Sequence, residues 1–280
     1  MLAVEVKGLV KRYPNKVAVD GIDLEIIKGE IFALLGPNGA GKTTTVEILE
    51  GYRKRDGGSV SVLGIDPDLG DAEWRNRIGI VLQSTKDGEE LTVFEVVSHF
   101  SHYYKNPRDP LQVIEEVGLQ EKRNARIETL SGGQRRRLDV ALGIIGNPEI
   151  LFLDEPTTGF DPEARRHFWE LIRRLKSEGT TILLTTHYLD EAEALADRLA
   201  VIANGKIIEL STPNDLGDRK HAKAKVLWLE NGDEKSIETD SPTEVVKQLF
   251  SQFSGEIPGL QIVRPSLEDI YIKMIGENIE

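Results

Sequence analysis

The stretch GPNGAGKTT, from Gly36 to Thr44, constrains this chain more than any other. It follows EIFALLG, an almost uniformly apolar run of the kind a buried central strand has, and it opens KTTTVEILEGY, which has helical spacing. Glycines at such a junction let consecutive backbone N–H groups wrap an anion, and the helix start adds the positive end of its dipole. The pattern Gly-x-x-x-x-Gly-Lys-Thr between strand and helix therefore predicts a phosphate cradle made of Gly36, Pro37, Asn38, Gly39, Ala40, Gly41, Lys42, Thr43 and Thr44. Lys42 would supply a point charge to the outer phosphates, and the Thr43 hydroxyl would ligate Mg²⁺.

Other apolar strands also end in reactive groups. ILFLDE, Ile150 to Glu155, leaves two carboxylates side by side at a sheet edge. Next to a phosphate cradle the first, Asp154, is expected to bind Mg²⁺ through water and the second, Glu155, to serve as general base. TTILLTTH puts His187 at a strand end, where an imidazole adjacent to ILFLDE would contact a terminal phosphate or orient the attacking water. Gln83 closes RIGIVLQ in the same manner, and its amide is expected to ligate Mg²⁺ and to sense a γ-phosphate. TLSGGQRRRLDV, beginning at Thr129, presents a second set of N–H groups at a helix start.

Around these motifs the chain alternates between two textures. VEVKGLVKRY and VAVDGIDLEIIKGE read as short antiparallel strands, whereas the region after Leu130 alternates strands and helices, which implies a parallel sheet with helices on both faces. Between Leu91 and about Glu128 the spacing is helical throughout, the mark of a helical insertion. After about Thr212 come a hairpin turning at Asn231-Gly232, a helix over SPTEVVKQLFSQF, a strand at LQIVRP and a last short helix, together a small α/β appendage.

Composition narrows the function classes. With 35 Lys+Arg against 47 Asp+Glu the formal charge is −12, which argues against nucleic acid as a partner. The two dense basic runs, RKRDGG and QRRR, are expected to be solvated helix faces. The absence of cysteine excludes disulfides and thiolate metal sites, and no apolar run reaches the length of a membrane span. A cytoplasmic address follows by default, with any membrane contact made through another chain.

Tyr13, GPNGAGKTTT, Gln83, LSGGQ, ILFLDEP, TGFDP and TTH occur in the order and at about the spacing of the ATP-binding subunit of ABC transporters, which the chain resembles over about residues 1–215. The resemblance implies a P-loop NTPase core: an α/β fold with a mixed, mainly parallel sheet flanked by helices, N-terminal antiparallel strands and a helical subdomain at about 84–146; the appendage read from the sequence pattern is then expected to be an accessory domain at 216–280. It further implies that ATP and Mg²⁺ are bound, that Tyr13 stacks on adenine, that Gln83 forms the Q-loop, that Asp161 is the D-loop acid and that His187 is the switch histidine. Phe160, where leucine is usual, keeps an apolar contact. RRRLDVALGII, TTH and PSLEDIYIKMIGE resemble the drug-resistance exporter branch.

Phosphoryl transfer relies on donors on more than one side of the γ-phosphate, and one cassette supplies a single side. The resemblance accordingly implies a head-to-tail dimer in which Ser131, Gly132, Gly133, Gln134 and Asp161 of one copy complete the ATP site of the other. A separate transmembrane permease at the cytoplasmic face would contact the helical subdomain near Gln83 to Leu91, Val93, Phe94, Val96 and Val97, although most of these apolar residues are expected to be subdomain core. Export of a substrate is the reading preferred over a DNA- or ribosome-directed ATPase, since the chain has no heptad arrays, a single cassette and an acidic charge, and it keeps Glu155 and His187, which a non-hydrolysing regulator would lose.

Overall fold

The computed structural model describes residues 1–81, 90–253 and 255–279, and the chain divides into two compact units, Met1–Leu210 and Ser211–Glu280. The first unit begins with β1 (Leu2–Tyr13) and β2 (Lys16–Ile27), twelve residues each and paired antiparallel. They are longer than the short strands expected. Their charged residues alternate outward while Val4, Val6, Leu9, Ile22, Leu24 and Ile26 are buried, so pairing continues through the polar stretch to the Tyr13–Lys16 turn.

β3 (Ile31–Leu35) is buried at every position and leads through the 36–41 loop into α1 (Lys42–Leu49). β4 (Gly57–Val62) then joins the free side of β1, giving a three-stranded antiparallel sheet in the order β2-β1-β4. α2 (Ala72–Arg75), one turn capped by Asp71, has too few residues to show a period in the sequence; it buries Trp74, whose indole N–H donates to the Val62 carbonyl at 3.0 Å. β5 (Ile78–Val81) precedes three helices that pack on one another, α3 (Val93–Ser101), α4 (Pro110–Glu116) and α5 (Gly132–Ile144).

The remainder of the unit comprises β6 (Ile150–Asp154), α6 (Pro162–Ser177), β7 (Thr181–Thr186), α7 (Leu189–Leu195), β8 (Arg198–Ala203) and β9 (Lys206–Ser211). Six strands form a sheet in the order β5-β6-β7-β3-β8-β9, parallel from β5 to β8. On one face Phe32, Leu34, Phe152, Leu183 and Ile202 share a core with the antiparallel sheet and with Val46 and Leu49 of α1. α6 buries Phe168, Leu171, Ile172 and Leu175, the i, i+3, i+4, i+7 stripe of an amphipathic helix.

In the second unit β10 (Ala224–Glu230) is flanked antiparallel by β11 (Asp233–Thr239) and by β12 (Gln261–Val263). Asn231 and Gly232 both have positive φ, 54° and 89°, as a tight hairpin turn requires. α8 (Pro242–Gln252) covers a small core of Val226, Trp228, Leu249 and Ile257, and α9 (Leu267–Ile279) ends the described chain.

Candidate active site

Strand register brings the expected residues to one edge. Asp154 of β6 lies opposite Thr185 of β7, and Thr186 lies opposite Leu35 of β3, so three parallel strands end level. Ligands in such sheets bind beyond the carboxyl ends of the strands. The 36–41 loop, Asp154-Glu155 and His187 are all there.

The loop is shaped by its glycines. Gly41 has φ of 113°, and a Cβ there or at Gly36 would collide with the carbonyl oxygens of Ala18 and Ile202 respectively. The Lys42 ammonium folds back over the loop and donates to the carbonyls of Gly36 at 2.8 Å and Pro37 at 3.3 Å. Burial pulls its pKa down, while Glu155 and Asp154 pull it up, so the cation sits in a partly desolvated place where a phosphate would be attracted strongly. Lys16 donates to the Gly39 carbonyl at 2.5 Å. Tyr13, Asn38, Gly39, Gly41, Thr43 and Glu155 line the same open cavity of about 530 Å³. Tyr13 is 37% exposed, with the Arg53 guanidinium 5.5 Å from its ring centroid.

Opposite the loop, the Thr43 hydroxyl donates to Asp154 Oδ2 at 3.3 Å, and the Thr185 hydroxyl donates to Asp154 Oδ1. A hydroxyl and a carboxylate converging in this way are hard oxygen donors suited to Mg²⁺. Among the described residues no group of three or more His, Cys, Asp or Glu forms a metal cage.

Glu155 is half-buried and its backbone is left-handed, φ 46°, an uncommon conformation for a residue with a side chain. Its N–H donates to the Thr185 carbonyl and hydroxyl oxygens at 3.2 and 3.1 Å, and its Oε1 lies 3.2 Å from His187 Nδ1. Asp161 caps α6, accepting from the N–H groups of Glu163 and Ala164 at 3.0 and 2.8 Å. Ser131 caps α5 in a reciprocal box with Gln134, whose Oε1 accepts the Ser131 N–H at 3.0 Å. Within this one chain the LSGGQ loop does not line the cavity at the strand ends. Gln83 falls outside the described residues.

The sequence reading missed Arg136. QRRR was expected to be a solvated helix face, yet Arg136 is 6% exposed and donates to the carbonyls of Asp154 at 2.6 Å, Glu155 at 3.3 Å and Pro156 at 3.1 Å. Arg135 and Arg137 likewise donate to the carbonyls of Ile127 and Gly118. α5 is packed on several sides, so the basic run there donates to backbone carbonyls rather than to water. RKRDGG is compensated differently: Arg53 pairs with Glu47 and Arg55 with Asp66 and Asp68.

Glu50, at the C-terminal end of α1, is a second buried ionisable group that was missed. It is 8% exposed, no described residue hydrogen-bonds or ion-pairs with its carboxyl, and burial, helped by Asp154 and Glu47, pushes its pKa up to about 8. The folded chain therefore keeps this proton from about pH 4.5 to about 8 while the unfolded chain loses it, and stability falls as pH rises through that window. Glu50→Gln, which has no proton to lose, should unfold at an increasingly higher temperature than the parent as pH goes from 5 to 8. By thermal circular dichroism the gap at pH 8 should be at least a few degrees, about 2–4 °C per kcal/mol; a gap that does not widen would contradict the burial argument.

The sequence profile of a family described as ABC transporter matches residues 19–158. The chain is 38% identical over 303 residues to Nod factor export ATP-binding protein I of Ralstonia nicotianae, covering 99% of this chain and 94% of that one. It is 43% identical over 219 residues to the daunorubicin/doxorubicin resistance ATP-binding protein DrrA of Streptomyces peucetius, covering 76% of this chain and 66% of the relative. Among solved structures it superposes with TM-score 0.68 and 26% identity on a dimeric ATP-binding cassette in a post-hydrolysis state bound to ADP and Pi, over 75% of this chain and 98% of that one.

Proposed function

The chain belongs to the ABC transporter family as an ATP-binding subunit, and on that premise we propose that it powers export of a substrate through a separate membrane subunit by hydrolysing ATP between two copies of itself. The observation that carries the reading is the convergence, at one sheet edge, of the Lys42 loop, Asp154 and the Glu155–His187 pair. The first relatives are export and resistance subunits, which supports the export direction.

Each residue has a proposed task. The N–H groups of residues 36–44 and the Lys42 ammonium hold the phosphates, and Tyr13 stacks on adenine. Thr43 and Asp154 would hold Mg²⁺, with Gln83 as a further ligand, and the ion when bound neutralises charge on the phosphate oxygens. Glu155 takes the proton of the attacking water, and His187, whose Nδ1 lies 3.2 Å from the Glu155 carboxylate, orients that carboxylate and reaches the γ-phosphate. Ser131, Gly132, Gly133, Gln134 and Asp161 act on the partner copy's nucleotide. We assign residues 1–215 as the ATP-binding domain, 84–146 as its helical subdomain and 216–280 as the accessory domain.

No helix among the described residues is long and apolar enough to cross a membrane, so the substrate path is assigned to the partner, with this chain peripheral at the cytoplasmic face. Of the residues expected to meet that partner, Val93 and Val97 are fully buried subdomain core, while Leu91 and Val96 line an apolar groove and Phe94 is 37% exposed. If two copies build each site, ATP turnover per chain should rise with chain concentration and level off as dimers saturate. The measurement is phosphate release over a hundredfold dilution series; constant turnover per chain at every concentration would oppose the composite site.

A further inference from the structure

Glu155 is held in an uncommon shape by a residue distant from it in sequence. Its φ of 46° is rare for a residue with a side chain, and it precedes Pro156, a position that favours extended backbone. Local preference thus opposes the turn, so contacts from other elements must impose it. From β7, Thr185 accepts the Glu155 N–H through its carbonyl at 3.2 Å and its hydroxyl at 3.1 Å. From α5, the Arg136 guanidinium spans three consecutive carbonyls: Nη2 donates to Asp154 at 2.6 Å and to Glu155 at 3.3 Å, and Nε donates to Pro156 at 3.1 Å.

Along a strand successive carbonyls point to opposite sides, so no single group meets three in a row. The left-handed residue directly after β6 ends that alternation, and the three oxygens converge on Arg136. Converging carbonyl dipoles repel one another unless a cation lies among them. Arg136 is 6% exposed and its ion pair with Asp139 is long, 3.9 Å, so the carbonyls compensate the buried cation as much as the cation compensates them.

Both torsions of a residue are set once the peptide on each side of it is fixed. The Asp154 carbonyl and the Glu155 N–H belong to the peptide before Glu155, and the Glu155 carbonyl belongs to the one after. Thr185 holds only the first, whereas Arg136 holds both, with the Thr158 N–H adding a contact of 3.4 Å to the second. Arg136 itself does not line the cavity at the strand ends.

We propose that Arg136 is a positioning residue for the general base: by clamping the Asp154, Glu155 and Pro156 carbonyls it sets the turn that aims the Glu155 carboxylate at the attacking water. This rests on the general-base reading of Glu155 above. The role needs a planar fork of donors. Lysine carries the same charge as a point, and glutamine offers a single NH₂ group, so neither spans three carbonyls.

The test uses Arg136→Lys and Arg136→Gln in the full chain. In both, kcat should fall about 10–100-fold, the scale of a misaimed reacting group, while KM for ATP stays within about twofold of the parent and ATP still drives dimerisation. Single-turnover hydrolysis then compares Glu155→Gln with the double variant Arg136→Lys, Glu155→Gln. Once the carboxylate is gone its aim is irrelevant, so the two rates should agree within about twofold. Losses that multiply in the double variant, or a kcat within about twofold of the parent in Arg136→Lys, would overturn the inference while Glu155→Gln alone still lost its turnover. A KM that rises in step with the fall of kcat in both variants would also overturn it, since it would mark a general loss of the fold. If Glu155→Gln itself keeps its turnover, the general-base reading fails and this inference fails with it.

Discussion

Glu155→Gln should lower steady ATP turnover by about 10²–10⁴-fold while ATP affinity stays within about twofold of the parent. The amide keeps the size and hydrogen-bonding reach of the carboxylate but cannot take a proton from water. Little else in the site should move, because the Glu155 backbone is held by Thr185 on one side and Arg136 on the other, contacts that do not involve the carboxylate. A left-handed conformation in a residue with a side chain costs about 1–3 kcal/mol and persists only where its surroundings impose it. Here those surroundings aim the side chain at His187 and into the cavity lined by the Lys42 loop. With hydrolysis blocked, bound ATP should accumulate between two copies. The variant should elute as a dimer with ATP and as a monomer with ADP, a difference resolved by size exclusion with light scattering. Turnover within about tenfold of the parent would remove Glu155 from the general-base role and leave His187 or a water chain to supply it.

What the sequence made legible was local. The Lys42 loop could be placed because its glycines, its apolar strand and its helix are contiguous, and the structure shows why each is needed: Gly41 adopts a φ of 113° and both it and Gly36 abut backbone carbonyls. Asp154, Glu155 and His187 could be placed because apolar strands of similar length end there, and parallel register then makes the ends coincide. Arg136 and Glu50 were not legible. Both are ionisable residues, one in a helix and one directly after a helix, with ordinary spacing, and only packing from elements distant in sequence reveals that Arg136 supplies donors to the Asp154–Pro156 backbone and that Glu50 is buried beside an apolar groove. Nor could the left-handed turn at Glu155 be seen, since Glu gives no local signal for positive φ. β1 and β2 were legible as antiparallel strands from their alternation, and the ladder runs the full twelve residues of each because the alternation with buried partners continues to the turn.

A second large effect is expected at Ser131. Within one chain this residue does a modest job, capping α5 with an oxygen that accepts the Gln134 N–H at 3.3 Å, so its replacement by arginine should cost about 1 kcal/mol of stability. The glycines that follow do even less for the fold. A Cβ at Gly132 would meet nothing within 4 Å, and at Gly133 it would be in ordinary contact, 3.7 Å from the Gly159 carbonyl. Packing inside the chain thus gives no reason for two consecutive glycines at a helix start, whereas an anion brought against the exposed N–H groups by another molecule does. On this argument Ser131→Arg should leave ATP affinity of the single chain unchanged, abolish ATP-driven dimerisation and reduce turnover about 10²-fold or more, the scale of losing one preorganised donor set. Lys42→Ala should abolish turnover from the other side of the site. The two inactive variants should then rescue each other. In an equimolar mixture each dimer of unlike chains has one site with an intact Lys42 loop facing an intact Ser131, so if sites act independently turnover should return to about a quarter of the parent value with random pairing and to about a half where only unlike chains pair. A chain carrying both substitutions should recover nothing when mixed with itself. If the mixture of single variants also stays inactive while each still binds its neighbours normally, the LSGGQ loop works within its own chain, and the head-to-tail arrangement is wrong.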